Sequence, residues 1–218
     1  MDTLFENRTD AGRRLAEALR AYAGRCDVIV LALPRGGVPV AYEVARALNA
    51  PLDLLIVRKL GTPGNPELAM GAIASGDASV LNRDVISLYR ISGEIIEQVT
   101  ANERQELERR ERLYRGDRPY PELENRCIIV VDDGIATGAT IRAGLAALRR
   151  KNPACIVVAV PVAPTDTLER LRAEVDDVVC LTTPTPFFAV GQAYRDFSQT
   201  TDDEVREILA RSWGEPLS

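Results

Sequence analysis

The 218-residue chain contains no histidine. That excludes Ser-His-Asp and Cys-His nucleophile arrangements, a histidine general base and histidine-ligated zinc. Proton transfer, if needed, falls to a carboxylate, a lysine, a tyrosine, water or the substrate. Cysteine is sparse: Cys26, Cys127, Cys155 and Cys180, with no C-x-x-C pair. Each begins or lies inside an apolar run, so they read as buried, reduced core thiols, the usage of a cytoplasmic protein. No apolar run approaches the ~20 residues of a membrane span, so no membrane partner is expected. The N-terminal Met1-Asp2-Thr3-Leu4-Phe5-Glu6-Asn7-Arg8 lacks the apolar core of a signal peptide. Positive charge is not in excess, with 27 Lys and Arg against 32 Asp and Glu, net −5. That balance argues against broad nucleic-acid binding, yet allows a phosphorylated ligand held by a few local cations. The length fits one α/β domain, or a domain with a small appendage, and needs no disulfide staple.

What the chain does have is one stretch with several kinds of chemistry in sequence. Cys127 to Val131 is a short, β-branched apolar run and reads as a buried strand. Asp132 and Asp133 close it. Gly134-Ile135-Ala136-Thr137-Gly138-Ala139-Thr140 follows as a loop of small and hydroxyl residues, and Ile141 to Leu148 reads as a helix. Such a loop offers backbone N–H groups at a helix N-terminus, where a phosphate is favoured. Thr137 and Thr140 add hydroxyl donors, and Gly138 lets a ligand approach the main chain. Two adjacent carboxylates repel a phosphate and should face a diol or a hydrated metal ion. A sugar phosphate satisfies both halves.

These residues resemble the phosphoribosyl pyrophosphate (PRPP) motif of type I phosphoribosyltransferases. The resemblance implies that Asp132 and Asp133 bind the ribose hydroxyls and act in catalysis. It assigns the 5′-phosphate to Ala136, Thr137, Gly138, Ala139 and Thr140. It also implies an α/β fold: a central, mostly parallel five-stranded sheet flanked by helices, with a small hood and a flexible hairpin and helical arm. The expected organisation is a single domain over residues 1–218. Its core would span about 26–182, its hood about 1–25 and 183–218, and an inserted helical arm about 84–118.

In chain order, residues 9–22 read as a helix capped by Thr9 or Asp10. Asp27 to Leu33 reads as a buried strand. Pro34-Arg35-Gly36-Gly37 breaks it before a helix over Val38 to Leu48. By itself that turn is a tight βα connection needing glycine; beside the PRPP motif it resembles the family's pyrophosphate loop, formed by Arg35, Gly36 and Gly37. Leu52 to Val57 reads as a strand ending in Arg58-Lys59, two cations where α/β proteins bind ligands. The resemblance gives Arg58 and Lys59 a catalytic role on the pyrophosphate. Residues 60–66 read as a Gly/Pro loop that could serve as a flap, and residues 69–81 as a hairpin about Gly76-Asp77. Residues 84–115 read as one charged helix with i,i+4 ion pairs Glu106/Arg110, Glu108/Arg112 and Glu111/Arg115. Further strands are expected at Cys155 to Val160 and Val178 to Leu181, and helices at Thr165 to Ala173 and Asp202 to Trp213.

Three of the four phenylalanines lie between Thr182 and Thr201. An aromatic platform could stack a nucleobase, or these rings could simply pack on the domain. Phe188-Ala189-Val190-Gly191 resembles the hood segment of hypoxanthine-guanine phosphoribosyltransferases, which nominates Phe188 and Val190 as acceptor contacts. The pattern departs from those enzymes at Ala136, where they carry an aspartate acting on the purine. Along nearly its full length the chain resembles a group of bacterial predicted phosphoribosyltransferases of unassigned acceptor. The implied substrates are therefore PRPP and an acceptor that the residues do not name, with Mg²⁺ carried by PRPP and reaching Asp132 or Asp133 through water. No nucleic acid is implied as partner, and a homodimer is among the assemblies the resemblance allows. A PRPP-sensing regulator of the same fold, without transferase activity, is the alternative.

Overall fold

Local chemistry accounts for most of the element boundaries. The computed structural model describes residues 4–214. Residues 1–3 and 215–218, which the expected hood includes, lie outside the described residues. In chain order the first elements are α1 (Arg8–Ala18), β1 (Val28–Ala32), α2 (Gly37–Leu48), β2 (Leu52–Leu54) and β3 (Val57–Thr62). Then come β4 (Asn65–Ala74), β5 (Ala78–Leu81), α3 (Arg83–Leu88) and α4 (Gly93–Arg115). The last are β6 (Cys127–Val131), α5 (Ala139–Arg149), β7 (Cys155–Val162), α6 (Thr165–Arg172), β8 (Asp177–Thr182) and α7 (Asp202–Trp213). They form two compact units. One takes the chain up to Leu54, Glu122 to Gly138, and Pro153 onward; the other takes Leu55–Pro121 and Ala139–Asn152.

The first unit is built on a parallel sheet in the order β2-β1-β6-β7-β8. Every residue of β1 and β6 is buried. Continuous Val/Ile/Leu runs are what strands covered on both faces require. This is the five-stranded parallel sheet expected from the sequence. α1 starts one residue before the expected helix because Asn7 is its cap, with Asn7 Oδ1 accepting the Asp10 N–H at 3.0 Å. α7 opens on a reciprocal capping box between Thr201 and Glu204. Near its end, the Trp213 indole N–H donates to the Leu52 carbonyl at 2.9 Å, tying the last helix to β2.

The cysteines depart from expectation. Cys127 and Cys155 open β6 and β7, are register partners, and are joined in a disulfide with their Cα atoms 4.5 Å apart. Neighbouring parallel strands set the two side chains on one face, a proximity that 28 residues of sequence separation conceal. Cys26 is exposed rather than buried, and Cys180 is half-buried.

The second unit holds an antiparallel sheet in the order β3-β4-β5. Here the expected strand over Leu52 to Val57 divides. β2 stops at Leu54, and Arg58 and Lys59 fall inside β3, paired with Ile73 and Ala72 of β4. They do not end a strand of the parallel sheet. The expected 60–66 loop is mostly strand, closed by a turn at Pro63-Gly64 that Thr62 fastens by donating its hydroxyl to Asn65 O at 2.8 Å. The reversal at Gly76-Asp77 is as expected, with φ of 73° and 57° at the two residues. The single expected helix over 84–115 is two. Asn82 caps α3 by accepting the Val85 N–H, and Ser92 caps α4 by accepting the Ile95 N–H. Two cap residues ten positions apart start two helices, and the charge periodicity runs through both. Along α4, Glu106 pairs with Arg110 at 2.8 Å, and Glu108 with Arg112 at 3.8 Å. Screened by solvent, such pairs contribute little each.

Candidate functional site

In the first unit the site grows from the carboxyl ends of β1 and β6, adjacent strands of the parallel sheet. Open parallel sheets present ligands at that edge. The Leu33 N–H bonds the Val131 carbonyl at 2.9 Å, so the turn after β1 and the acids after β6 leave the sheet side by side. Glycine makes their approach feasible. A Cβ on Gly36 would stand 2.0 Å from Asp133 Oδ2, and one on Gly37 would stand 2.8 Å from the Val131 carbonyl oxygen. The structure thus brings Gly36 and Gly37 onto Asp132 and Asp133. Arg35 sits at the same turn and faces Asp202 at 3.7 Å.

The two carboxylates differ in their surroundings. Asp132 Oδ1 accepts the Asp133 N–H at 2.9 Å. Asp133 Oδ2 accepts from Arg8 Nε at 2.8 Å, and the Asp133 carbonyl accepts from the Tyr194 hydroxyl at 2.5 Å. Burial, then the neighbouring Asp133, hold the Asp132 carboxyl well above the usual carboxylate range. Burial also raises Asp133, while the Arg8 guanidinium works against it. Sequence reasoning misses both Arg8 and Tyr194. Arg8 ends the Phe5-Glu6-Asn7-Arg8 stretch that shares in the family resemblance but carries no expected role, and Tyr194 is one aromatic among several.

Asp132 carries a stability consequence. Its folded pKa exceeds the unfolded value, so between the two the native state binds more protons and stability falls as pH rises. Asp132→Asn should therefore raise the thermal midpoint of the ligand-free protein at pH 7–8. The gain should vanish below about pH 4, where the unfolded carboxyl is protonated too. Scanning calorimetry across that range checks it, and a lower midpoint at pH 8 would contradict it.

Past the acids, Gly134 lies against Val190: a Cβ there would be 2.4 Å from Val190 Cγ1. Val190 thus packs on Gly134, the residue that follows the acidic pair. Phe188 is 77% exposed, while Phe187 packs against Phe5, Val162, Ala193 and Tyr194. Gln192 holds the Phe188 segment, accepting the Phe188 N–H at 2.9 Å and donating to Pro186 O at 3.3 Å. The loop then runs outward. Ala136 and Thr137 are exposed, Thr167 Oγ1 fixes the Ala136 carbonyl at 2.9 Å, and Gly138 takes a φ of 75°. Ala139 and Thr140 open α5, so the predicted phosphate residues do precede and begin a helix of 11 residues.

In the second unit, Arg58, Lys59, Pro63, Gly64 and Thr140 line an open groove of about 780 Å³. Arg58 is held there by Glu103 at 2.6 Å. Two predicted pyrophosphate cations and one predicted phosphate hydroxyl therefore share a groove. Among the described residues no three histidine, cysteine or acidic side chains converge as a metal site. None of the described helices is long and apolar enough to cross a membrane.

The family model described as the phosphoribosyl transferase domain matches residues 2–196. The chain belongs to that family. It is 49% identical over 209 residues to Putative phosphoribosyl transferase Rv0571c of Mycobacterium tuberculosis, covering 96% of this chain and 47% of that protein. The chain thus spans about half the length of the curated relatives it matches. TT1426 of Thermus thermophilus has a crystal structure that superposes with a TM-score of 0.84 at 42% identity, covering 95% of this chain and 98% of that one. The phosphoribosyl transferase domain assignment agrees with the five-stranded parallel sheet.

Proposed function

We propose that this phosphoribosyl transferase domain moves the 5-phosphoribosyl group of PRPP to a nitrogen acceptor, a nucleobase by preference, and releases pyrophosphate. The observation that carries this reading is the packing of the Gly36-Gly37 turn onto Asp132 and Asp133. It sets the half-buried Gly36 main chain, suited to an anion, beside carboxylates suited to a diol, while the Gly37 N–H is held by the Leu33 carbonyl at 3.1 Å. Asp132 and Asp133 take the ribose hydroxyls and lie near the positive charge that develops as the C1–pyrophosphate bond breaks. Arg35 and the Gly36 amide, in the first unit, receive the departing pyrophosphate; Arg58 and Lys59, in the second, are cations that the family resemblance alone nominates for the same anion. Ala136 to Thr140 hold the 5′-phosphate. The acceptor nitrogen attacks C1 with inversion, and positioning supplies much of the rate. No covalent enzyme intermediate is involved.

The donor set fits magnesium that arrives with its ligand. Two carboxylates, one engaged by Arg8, do not make an all-protein cage, whereas Mg²⁺ is commonly bound by one or two carboxylates, waters and substrate phosphates. Asp132 or Asp133 would hold it through water, and it would supply charge neutralisation on the pyrophosphate. A single functional domain with a hood over the acceptor and a homodimer belong to the same proposal; the Cys127–Cys155 disulfide removes the reduced-thiol argument for a cytoplasmic setting.

Incubation with Mg-PRPP and a panel of purines, pyrimidines and amines, read by mass for new nucleotides, tests the reading. Pyrophosphate release that requires an acceptor supports it; PRPP binding without turnover under every acceptor points to the sensor instead. Phe188, exposed and apolar, is the base platform in this proposal. Phe188→Ala should raise the acceptor KM by about 10-fold, the order of one lost stacking contact, and leave PRPP affinity unchanged. Steady-state kinetics with each substrate varied in turn separates the two.

A further inference from the structure

We propose that Arg8 is a positioning residue for Asp133: its guanidinium fixes the carboxylate in one orientation, one oxygen engaged and the other presented to a ligand hydroxyl. The inference rests on the phosphoribosyl reading and assigns a role to a residue that this reading leaves without one.

The guanidinium is held from three sides. Nε donates to Asp133 Oδ2 at 2.8 Å, and Nη1 donates to the Ser198 carbonyl at 2.6 Å. Its Cζ lies 4.0 Å from the centre of the Phe197 ring, a cation–π contact. Phe197 stacks on Tyr194 at 5.0 Å, and Tyr194 donates to the carbonyl of Asp133. The chain of contacts closes on the residue where it began. The Arg8 and Asp133 side chains are only 12% and 14% exposed. A pair so enclosed is screened little by salt, and loss of one member leaves the other a buried charge.

Orientation matters because the aspartate χ2 well is broad. With Oδ2 tied to Arg8, the Asp132 side chain also hydrogen-bonded to this carboxyl and the Gly36 main chain close against it, the carboxylate plane is set; the proposal gives Oδ1 to the ligand hydroxyl. Lysine could not reproduce the arrangement. A single ammonium does not match two acceptors through a rigid fork while stacking flat on a ring. The positive charge also opposes the effect of burial on Asp133.

Calorimetric titration with two probes tests the proposal. Ribose 5-phosphate carries the hydroxyls; inorganic pyrophosphate does not. Arg8→Gln should weaken ribose 5-phosphate by about 10- to 100-fold, the scale of hydrogen bonds to a charged group, and change pyrophosphate by no more than about twofold. Arg8→Lys should weaken ribose 5-phosphate less than Arg8→Gln does, because a cation remains beside Asp133. A purely structural role would weaken both probes alike, and that result overturns the inference. Wild-type protein that binds neither probe overturns the phosphoribosyl reading and this inference with it. Should Arg8→Gln fail to fold, Phe197→Leu replaces it. That variant removes the ring under the guanidinium and should weaken ribose 5-phosphate alone, by about 2- to 5-fold. No selective loss in that variant overturns the proposal.

Discussion

Asp132→Asn combined with Asp133→Asn is expected to lower acceptor-dependent release of pyrophosphate from PRPP by at least about a thousandfold. Each carboxylate is expected to receive ribose hydroxyl donors, and a hydrogen bond to an ionised group contributes about 1.5–3 kcal/mol. The anionic pair also stabilises charge that develops at C1 in the transition state, an effect that asparagine cannot supply. Asparagine keeps the shape, so the loss should fall on kcat/KM while the fold survives. The raised Asp132 carboxyl makes that separation sharper, because the neutral side chain suits the ligand-free site better than the charged one. Activity lost with the thermal midpoint kept or raised is the expected signature. Turnover unchanged in the double variant would remove the assignment of this site.

The second large effect is expected at the glycine turn. Gly37→Ala places a Cβ 2.8 Å from the Val131 carbonyl oxygen and 2.9 Å from Asp132 Cα. Both obstacles are backbone, so no rotamer change relieves them. Overpacking of this kind costs about 1–3 kcal/mol, which for a chain of this size is a fall in thermal midpoint of about 2–12 °C. The displaced segment is the end of β6 that carries both acids, so PRPP binding should fall with stability. Gly36→Ala meets a side chain instead, at Asp133 Oδ2, and should cost more in binding than in stability. Gly93→Ala is the control: nothing lies within 4 Å of its Cβ and it opens α4, where alanine is the better helix former. Thermal scans of the three variants beside PRPP titrations check the order. A Gly37→Ala protein as stable as wild type would contradict the packing argument.

How much of this was legible in the chain varies by element. The buried strands at Val28–Ala32 and Cys127–Val131 announce themselves as unbroken β-branched runs, because strands covered on both faces need no alternation. The acids and the small-residue loop follow directly in sequence, so their neighbourhood needed no tertiary knowledge. The hairpin at Gly76-Asp77 was readable from residues that tolerate positive φ. The split at Leu54 was not. Leu52 to Val57 is apolar apart from Asp53, and nothing local says that its second part leaves the parallel sheet for an antiparallel one. The break between α3 and α4 was recoverable from Ser92, but the charge pattern on both sides masks it.

Sequence alone determined the five parallel strands in chain order, the family, and the residues nominated for ribose and phosphate, because each rests on contiguous segments of chain. Only the tertiary structure decided what surrounds the acids. Arg8 lies 125 positions from Asp133 and Tyr194 lies 61 from it, yet both bond it. The Cys127–Cys155 bond likewise depends on the register of β6 against β7. Contacts of that kind are set by how the sheet pairs and how the terminal segments return to it. Local propensity and periodicity carry no term for partners so distant along the chain.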